Sequence, residues 1–312
     1  MNTFLVTLSC VAVMLVYAVP GFILVKTGKV KQDAIKSFAN VLMYVCSPCL
    51  TVYSFQNVAY SAALVKDIGV LFVISILFQA AIMLLFTFLF RKKFEDVKIR
   101  VCVIATALGN CAFMGVPLLE AVMPHYPQAI MMSSIFSIGM NLLGWTLASA
   151  IIMKDRKYVS FRKALINPVS ITLLVAIPIF VFGIDLPEQV DGMITLVGRM
   201  STPMCMLVMG MRLATVELKK LFTDKDVYAT VLVKQVIVPL VGLLILLPLP
   251  LGKDFQTTLF ILYATPVASI VLNFPEMLGK GQKEAANLVL LGTLLSIVTI
   301  PLLMLIYSML GV

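Results

Sequence analysis

"GNCAFMGVPLLEAV", residues 109–122, decides how this chain is read. It holds two glycines, an asparagine, a proline and a glutamate within surroundings that are otherwise apolar. Proline removes a backbone donor and clashes with the preceding turn. Glycine weakens a helix by about 1 kcal/mol relative to alanine. In hydrocarbon the freed backbone groups find no water and cost several kcal/mol each. Such a break is tolerable only where those groups are buried in protein or line a wet cavity, so a helix running through this stretch is expected to split near residues 110–117.

The surroundings are those of a membrane. Of 312 residues, 61% are hydrophobic and 12% charged, and the mean hydropathy is +1.05. A soluble domain carries about 25% charged residues, so most of this apolar surface must face lipid. Ten stretches approach the roughly 20 residues that a spanning helix needs. They run over 4–25, 37–58, 66–90, 99–123, 128–153, 164–184, 190–213, 227–249, 256–278 and 284–310. The first lacks the basic start of a secretory signal, and its apolar run is too long for one; it is read as a span. The fold class expected is all-α, integral to the membrane, with ten transmembrane helices and no soluble domain.

The net charge of +9 could indicate nucleic acid, but the basic residues sit at the membrane edges. Counted by loop, Lys and Arg number 20 on the odd-numbered loops, whereas the even loops hold only Lys66 and Lys253. Cytoplasmic loops are the Lys- and Arg-rich ones, which places both termini outside. The six cysteines all fall in apolar segments, and "CSPC" (46–49) is read as packing rather than redox chemistry.

Five spans per half is an odd number, so related halves must enter the membrane from opposite sides. A shift of 155 residues carries Pro48 of "CSPCL" onto Pro203 of "STPMC", and Asn110 onto Thr265 beside Pro266. "LLGWTLAS" (142–149) resembles "LLGTLLS" (290–296). These matches indicate a 5+5 inverted repeat: residues 1–153, a cytoplasmic linker 154–163, and residues 164–312. The ninth span, "LYATPVASIVLNFPEMLG" (262–279), is interrupted like the fourth. Paired interruptions in corresponding spans point to a transporter binding site. Broken helices four and nine, crossing at mid-depth, would aim two helix N-termini into one cavity, and those ends favour an anion.

The substrate-binding candidates are therefore Asn110, Gly115, Pro117, Thr265, Pro266, Ser269 and Asn273. Asn110 could donate its amide to a carboxylate. Thr265 and Ser269 could instead bond back to their own helix. Ionisable groups at membrane depth are functional candidates by default. Lys234 could balance substrate charge or couple protons, with snorkelling to the cytoplasmic edge as the alternative. Glu120 could pair with Lys234 or relay a proton. Arg199 is read as lying at a packing surface or the outer rim.

"GNCAFMGVPLL" resembles the fourth-helix signature of the auxin efflux carrier family. "STPMCMLVMGMRLA" (201–214), "LVKQVIVP" (232–239) and "ATPVAS" (264–269) resemble its seventh, eighth and ninth helices. The resemblance implies a fold related to the bile acid sodium symporters, with helices 1, 2, 6 and 7 as a scaffold and helices 3–5 and 8–10 as a moving transport domain. It further implies substrate at the crossover of helices four and nine, an elevator-type motion and a homodimer. The crossover asparagine maps onto Asn110. Plant members carry a long cytoplasmic loop between the halves, which is reduced here to 154–163, so auxin specificity does not carry over. Compact bacterial members are assigned small carboxylates such as malate or malonate.

The function expected is secondary transport of a small organic carboxylate across the plasma membrane. Either H⁺ or Na⁺ could be the coupling ion; a sodium-coupled symporter and a channel or sensor stand as alternatives. No cofactor, metal or nucleic-acid partner is expected. Nor is an enzyme: H-E-x-x-H and G-x-S-x-G are absent, and the single histidine, His125, lies in an outer loop.

Overall fold

The computed structural model describes residues 3–56, 58–155, 159–160, 162, 166, 168–216, 221 and 223–310. Much of the expected linker and the beginning of the expected sixth span lie outside these residues. The described residues form helices and no named strand. Seven helices are long and apolar enough to cross a membrane: α1 (Thr3–Lys26), α2 (Ala34–Gln56), α3 (Ala62–Leu89), α6 (Gln128–Met153), α8 (Glu188–Leu213), α9 (Lys225–Leu246) and α12 (Gln282–Met309). Shorter pieces fall between them: α4 (Val97–Ala105), α5 (Cys111–Val122), α7 (Pro168–Phe182), α10 (Lys253–Ala264) and α11 (Asn273–Leu278).

The expected fourth span is the pair α4 and α5, and the expected ninth is α10 and α11 preceded by a short 3₁₀ turn, Ser269–Leu272. The ninth-span interruption falls where the sequence places it; the fourth-span one lies at 106–110, just ahead of the expected 110–117, and Gly115 and Pro117 are helical within α5 because a proline is tolerated in a first helical turn. The residue before a proline is pushed into extended conformations, and Thr265, before Pro266, has φ −60° and ψ 144°. In the other half, Asn110 leaves the helical region with ψ 60°.

Helix α1 packs on α12 and α5 as well as on α8, and α2 touches α6, so the helices form one connected body. Helices α1 and α8 pack on each other, and α2 packs on α7 and α8. Elsewhere α3 packs on α6, α9 on α10 and α12, and α4 on α12. Lipid supplies no hydrophobic drive between helices, so close backbone approach through small residues carries much of the association. The α1–α8 contact is such a case. A Cβ on Gly210 would stand 1.8 Å from the Ala18 carbonyl oxygen, and one on Gly21 would stand 2.0 Å from that of Leu207. The apolar residues left exposed, such as Leu77, Leu174 and Leu244, lie on helices long or apolar enough to face lipid.

Candidate functional site

The two unwound segments meet. The amide of Asn110 donates to the Pro266 carbonyl at 2.7 Å, and the amide of Ala268 donates to the Leu108 carbonyl at 2.9 Å. Gly109 and Val267 thus form an antiparallel bridge between the breaks. Each segment satisfies backbone groups that the other's broken helix has freed, which answers the demand that hydrocarbon places on them. Glycine is needed at 109: a Cβ there would lie 2.6 Å from Thr265 Oγ1 and 3.1 Å from Lys234 Nζ.

The helix ends behind this bridge are capped from the side chains. Lys234, only 1% exposed, donates from α9 to the Tyr263 carbonyl at 2.8 Å. That carbonyl belongs to the last turn of α10, the negative end of the helix dipole, where a cation is favoured. Thr265 donates its hydroxyl to the Leu262 carbonyl at 2.7 Å, the local back-bond that the sequence admits. Ser133 of α6 donates to the Cys111 carbonyl at 2.8 Å, fixing the start of α5.

In front of the bridge lies a cavity of ≈ 190 Å³. Its wall includes Asn110 to Phe113 from the first break and Ala268 to Ile270, Leu272 and Asn273 from the second. The first amides of a helix have no partner within it, and the wall takes in the N-terminal start of α5. Ser137 and Asn141 of α6 add polar groups, and α2 and α8 close the opposite side. Among the described residues lining it, Arg212 alone carries a charge. Arg212 sits in the last turn of α8, partly buried, and its guanidinium makes no hydrogen bond or ion pair with a described residue. The Asn110 side-chain nitrogen is buried and likewise has no hydrogen-bond partner; the Cys205 thiol beside it is at best a weak acceptor. One cation, one unpaired amide donor and, among the described lining residues, no carboxylate make a pocket for an anion.

A second recess, ≈ 560 Å³, opens at the end of α2 beside the turn between α7 and α8. Asp185, Glu188 and Asp191 are the charged residues among the described ones lining it, so an anion is repelled there.

The chain belongs to a known family. Residues 6–304 match the model of the membrane transport protein family, nearly the full length. It is a member of that family, the auxin efflux carrier family that its sequence resembles. No curated protein matches the sequence.

In this transporter the cavity brings together Asn110, Ser269 and Asn273 of the expected site residues. The others stand behind or beside it. Gly115 packs α5 on α10, since a Cβ there would be 3.0 Å from Leu262. Pro117 offers its carbonyl to the Cys10 thiol at 3.5 Å. Pro266 serves through the carbonyl that Asn110 bonds, and Thr265 is fully buried. Lys234 does not snorkel, and it does not meet Glu120. Glu120 instead accepts from the Tyr53 hydroxyl at 2.9 Å and lies 3.7 Å from Arg199. Sequence reasoning missed Arg212, because a basic residue at a span end reads as a topology signal; its place five residues before the end of "STPMCMLVMGMRLATVE" carries no further mark. The exposed loop histidine, His125, pairs with Asp254 at 3.1 Å, far in sequence from either break.

Proposed function

We propose that the transporter carries a small organic carboxylate across the plasma membrane by alternating access, binding it in the cavity between the two breaks. Counting α4 with α5, and α10 with α11, each as one interrupted crossing gives ten spans and a 5+5 inverted repeat. The odd loops and the cavity mouth then face the cytoplasm and both termini the outside. Under this reading α1, α2, α7 and α8 form the scaffold, and α3–α6 with α9–α12 form the moving transport domain; the α1–α8, α2–α7 and α2–α8 contacts support it, and the α1–α12 contact lies on the surface along which the two would slide. The scaffold also offers the surface for a homodimer. Coupling to H⁺ or Na⁺ completes the cycle.

The observation that carries the reading is the buried, unpartnered amide nitrogen of Asn110 aimed at a cavity whose charged lining residue is Arg212. A buried donor without a partner costs about 1–3 kcal/mol, and a bound carboxylate would remove that cost. A cavity of ≈ 190 Å³ suits a small solute, since drug-sized sites run to about 300–1,000 Å³.

Asn110→Ala is the test. Loss of one hydrogen bond to a charged ligand is expected to weaken binding by about 1.5–3 kcal/mol, roughly 10- to 150-fold. The unliganded protein should remain folded, since the side-chain nitrogen has no partner to lose. Thermal unfolding of purified protein with malonate and malate, with and without sodium, measures this. Wild-type ligand shifts in the variant would remove Asn110 from the site.

A further inference from the structure

The cavity and a polar cluster sit toward opposite ends of the helices that carry them. Along α2 the cavity residues Leu42 and Ser47 precede Tyr53 by one to three turns. Along α8 the order is reversed: Arg199 comes first, and Cys205, Met209 and Arg212 line the cavity. In α5, Cys111 to Phe113 face the cavity and Glu120 lies two turns further on. Tyr53, Glu120 and Arg199 are therefore gathered at the end remote from the cavity.

Their contacts form a closed set. The Tyr53 hydroxyl donates to Glu120 Oε1 at 2.9 Å, Arg199 Nη2 donates to the Tyr53 oxygen at 3.1 Å, and Arg199 Nη2 lies 3.7 Å from Glu120 Oε1. The Arg199 guanidinium also stands over the Tyr53 ring, 5.4 Å from its centroid. One helix next to a break, α5, is thereby tied to α2 and α8, two helices of the proposed scaffold. The same boundary is crossed nearby by two more bonds. Ser54 and Ser134 hydroxyls meet at 2.8 Å, and Thr202 donates to the Phe113 carbonyl at 3.0 Å.

We infer that Glu120, held by Tyr53 and Arg199, is an outer latch between the two helix groups, and that it must release before the cavity can open outward. The inference rests on the alternating-access reading given above. Glu120 is acidic, so its carboxylate accepts from the Tyr53 hydroxyl and at the same time attracts the Arg199 guanidinium 3.7 Å away. No single neutral side chain at that position could hold both with equal strength. Release exchanges these contacts for water at the outer end, where Arg199 is already exposed. The latch thus sets how the protein divides its time between inward- and outward-open forms. A ligand-independent change in that division is what its loss should produce.

The experiment uses the full chain with its six native cysteines replaced and Ala112→Cys placed in the cavity wall, reconstituted in oriented proteoliposomes. A membrane-impermeant maleimide is added from the cytoplasmic or the outer side. With the latch intact, labelling is expected to be fast from the cytoplasmic side and slow from the outer side. Glu120→Gln and, independently, Tyr53→Phe should raise the outer rate by roughly tenfold, the effect of one hydrogen bond to a charged group. Tyr53→Phe removes a single oxygen and keeps the inference testable if Glu120→Gln folds poorly. An outer rate unchanged in both variants, with measurable outer labelling in the parent, would overturn the latch and leave alternating access standing. An outer rate of zero in the parent and in both variants, with or without malonate, would overturn both.

Discussion

Arg212→Gln is expected to weaken carboxylate binding by about 2–4 kcal/mol, roughly 30- to 1,000-fold in Kd. Arg212 is the charged group among the described residues lining the cavity, and it holds no carboxylate of its own there. Removing it takes away the attraction that offsets stripping water from the ligand. No described residue hydrogen-bonds or ion-pairs with the Arg212 guanidinium, so the melting temperature without ligand should hold. Arg212→Lys keeps the charge and loses the planar fork that can grip both carboxylate oxygens, so its affinity should fall between wild type and Arg212→Gln. Titration of malonate and malate against the three proteins measures the series. Equal affinities across it would remove Arg212 from the site.

Gly210→Val is expected to prevent a stable folded protein from forming. The new Cβ would stand 1.8 Å from the Ala18 carbonyl oxygen and 2.7 Å from the carbonyl carbon, both backbone atoms of α1. Overpacking a core costs about 1–3 kcal/mol where side chains can yield; backbone cannot yield without separating the helices. On the same helix, nothing lies within 4 Å of a Cβ built on Gly192, and Gly192→Ala should be neutral or mildly stabilising. Yield of monodisperse protein on gel filtration and its melting temperature separate the two. A well-folded Gly210→Val protein would show that α1 and α8 do not pack through bare backbone.

The breaks were legible because their causes are local. Pro266 fixes the extended backbone of Thr265 before it; in the other half Gly109 and Asn110 lie in the break, whereas Pro117, which the sequence also offers as a breaker, is accommodated within α5. The convergence of Asn110, Ser269 and Asn273 on one cavity was legible too, since corresponding interruptions were expected to face each other. What the breaks' neighbours do was not. Gly115 and Pro117 sit in the same signature as Asn110 but point to packing contacts, and nothing in their spacing tells wall from backing. Lys234 reaches back to cap α10, a bond that joins residues 29 apart in sequence. The Tyr53–Glu120–Arg199 cluster joins positions 67 and 146 residues apart, beyond any periodicity. Gly21 and Gly210 resemble other glycines in apolar spans until the helices are docked.

The central claim is that an anion carried across the membrane binds where the two unwound segments meet. Counterflow in proteoliposomes tests it most directly, using whichever of malonate and malate gives the larger thermal shift. The account predicts labelled uptake that saturates, that is accelerated by unlabelled carboxylate on the far side, and that Asn110→Ala and Arg212→Gln both depress. Uptake that rises linearly with concentration, indifferent to the far side and to both substitutions, would contradict it.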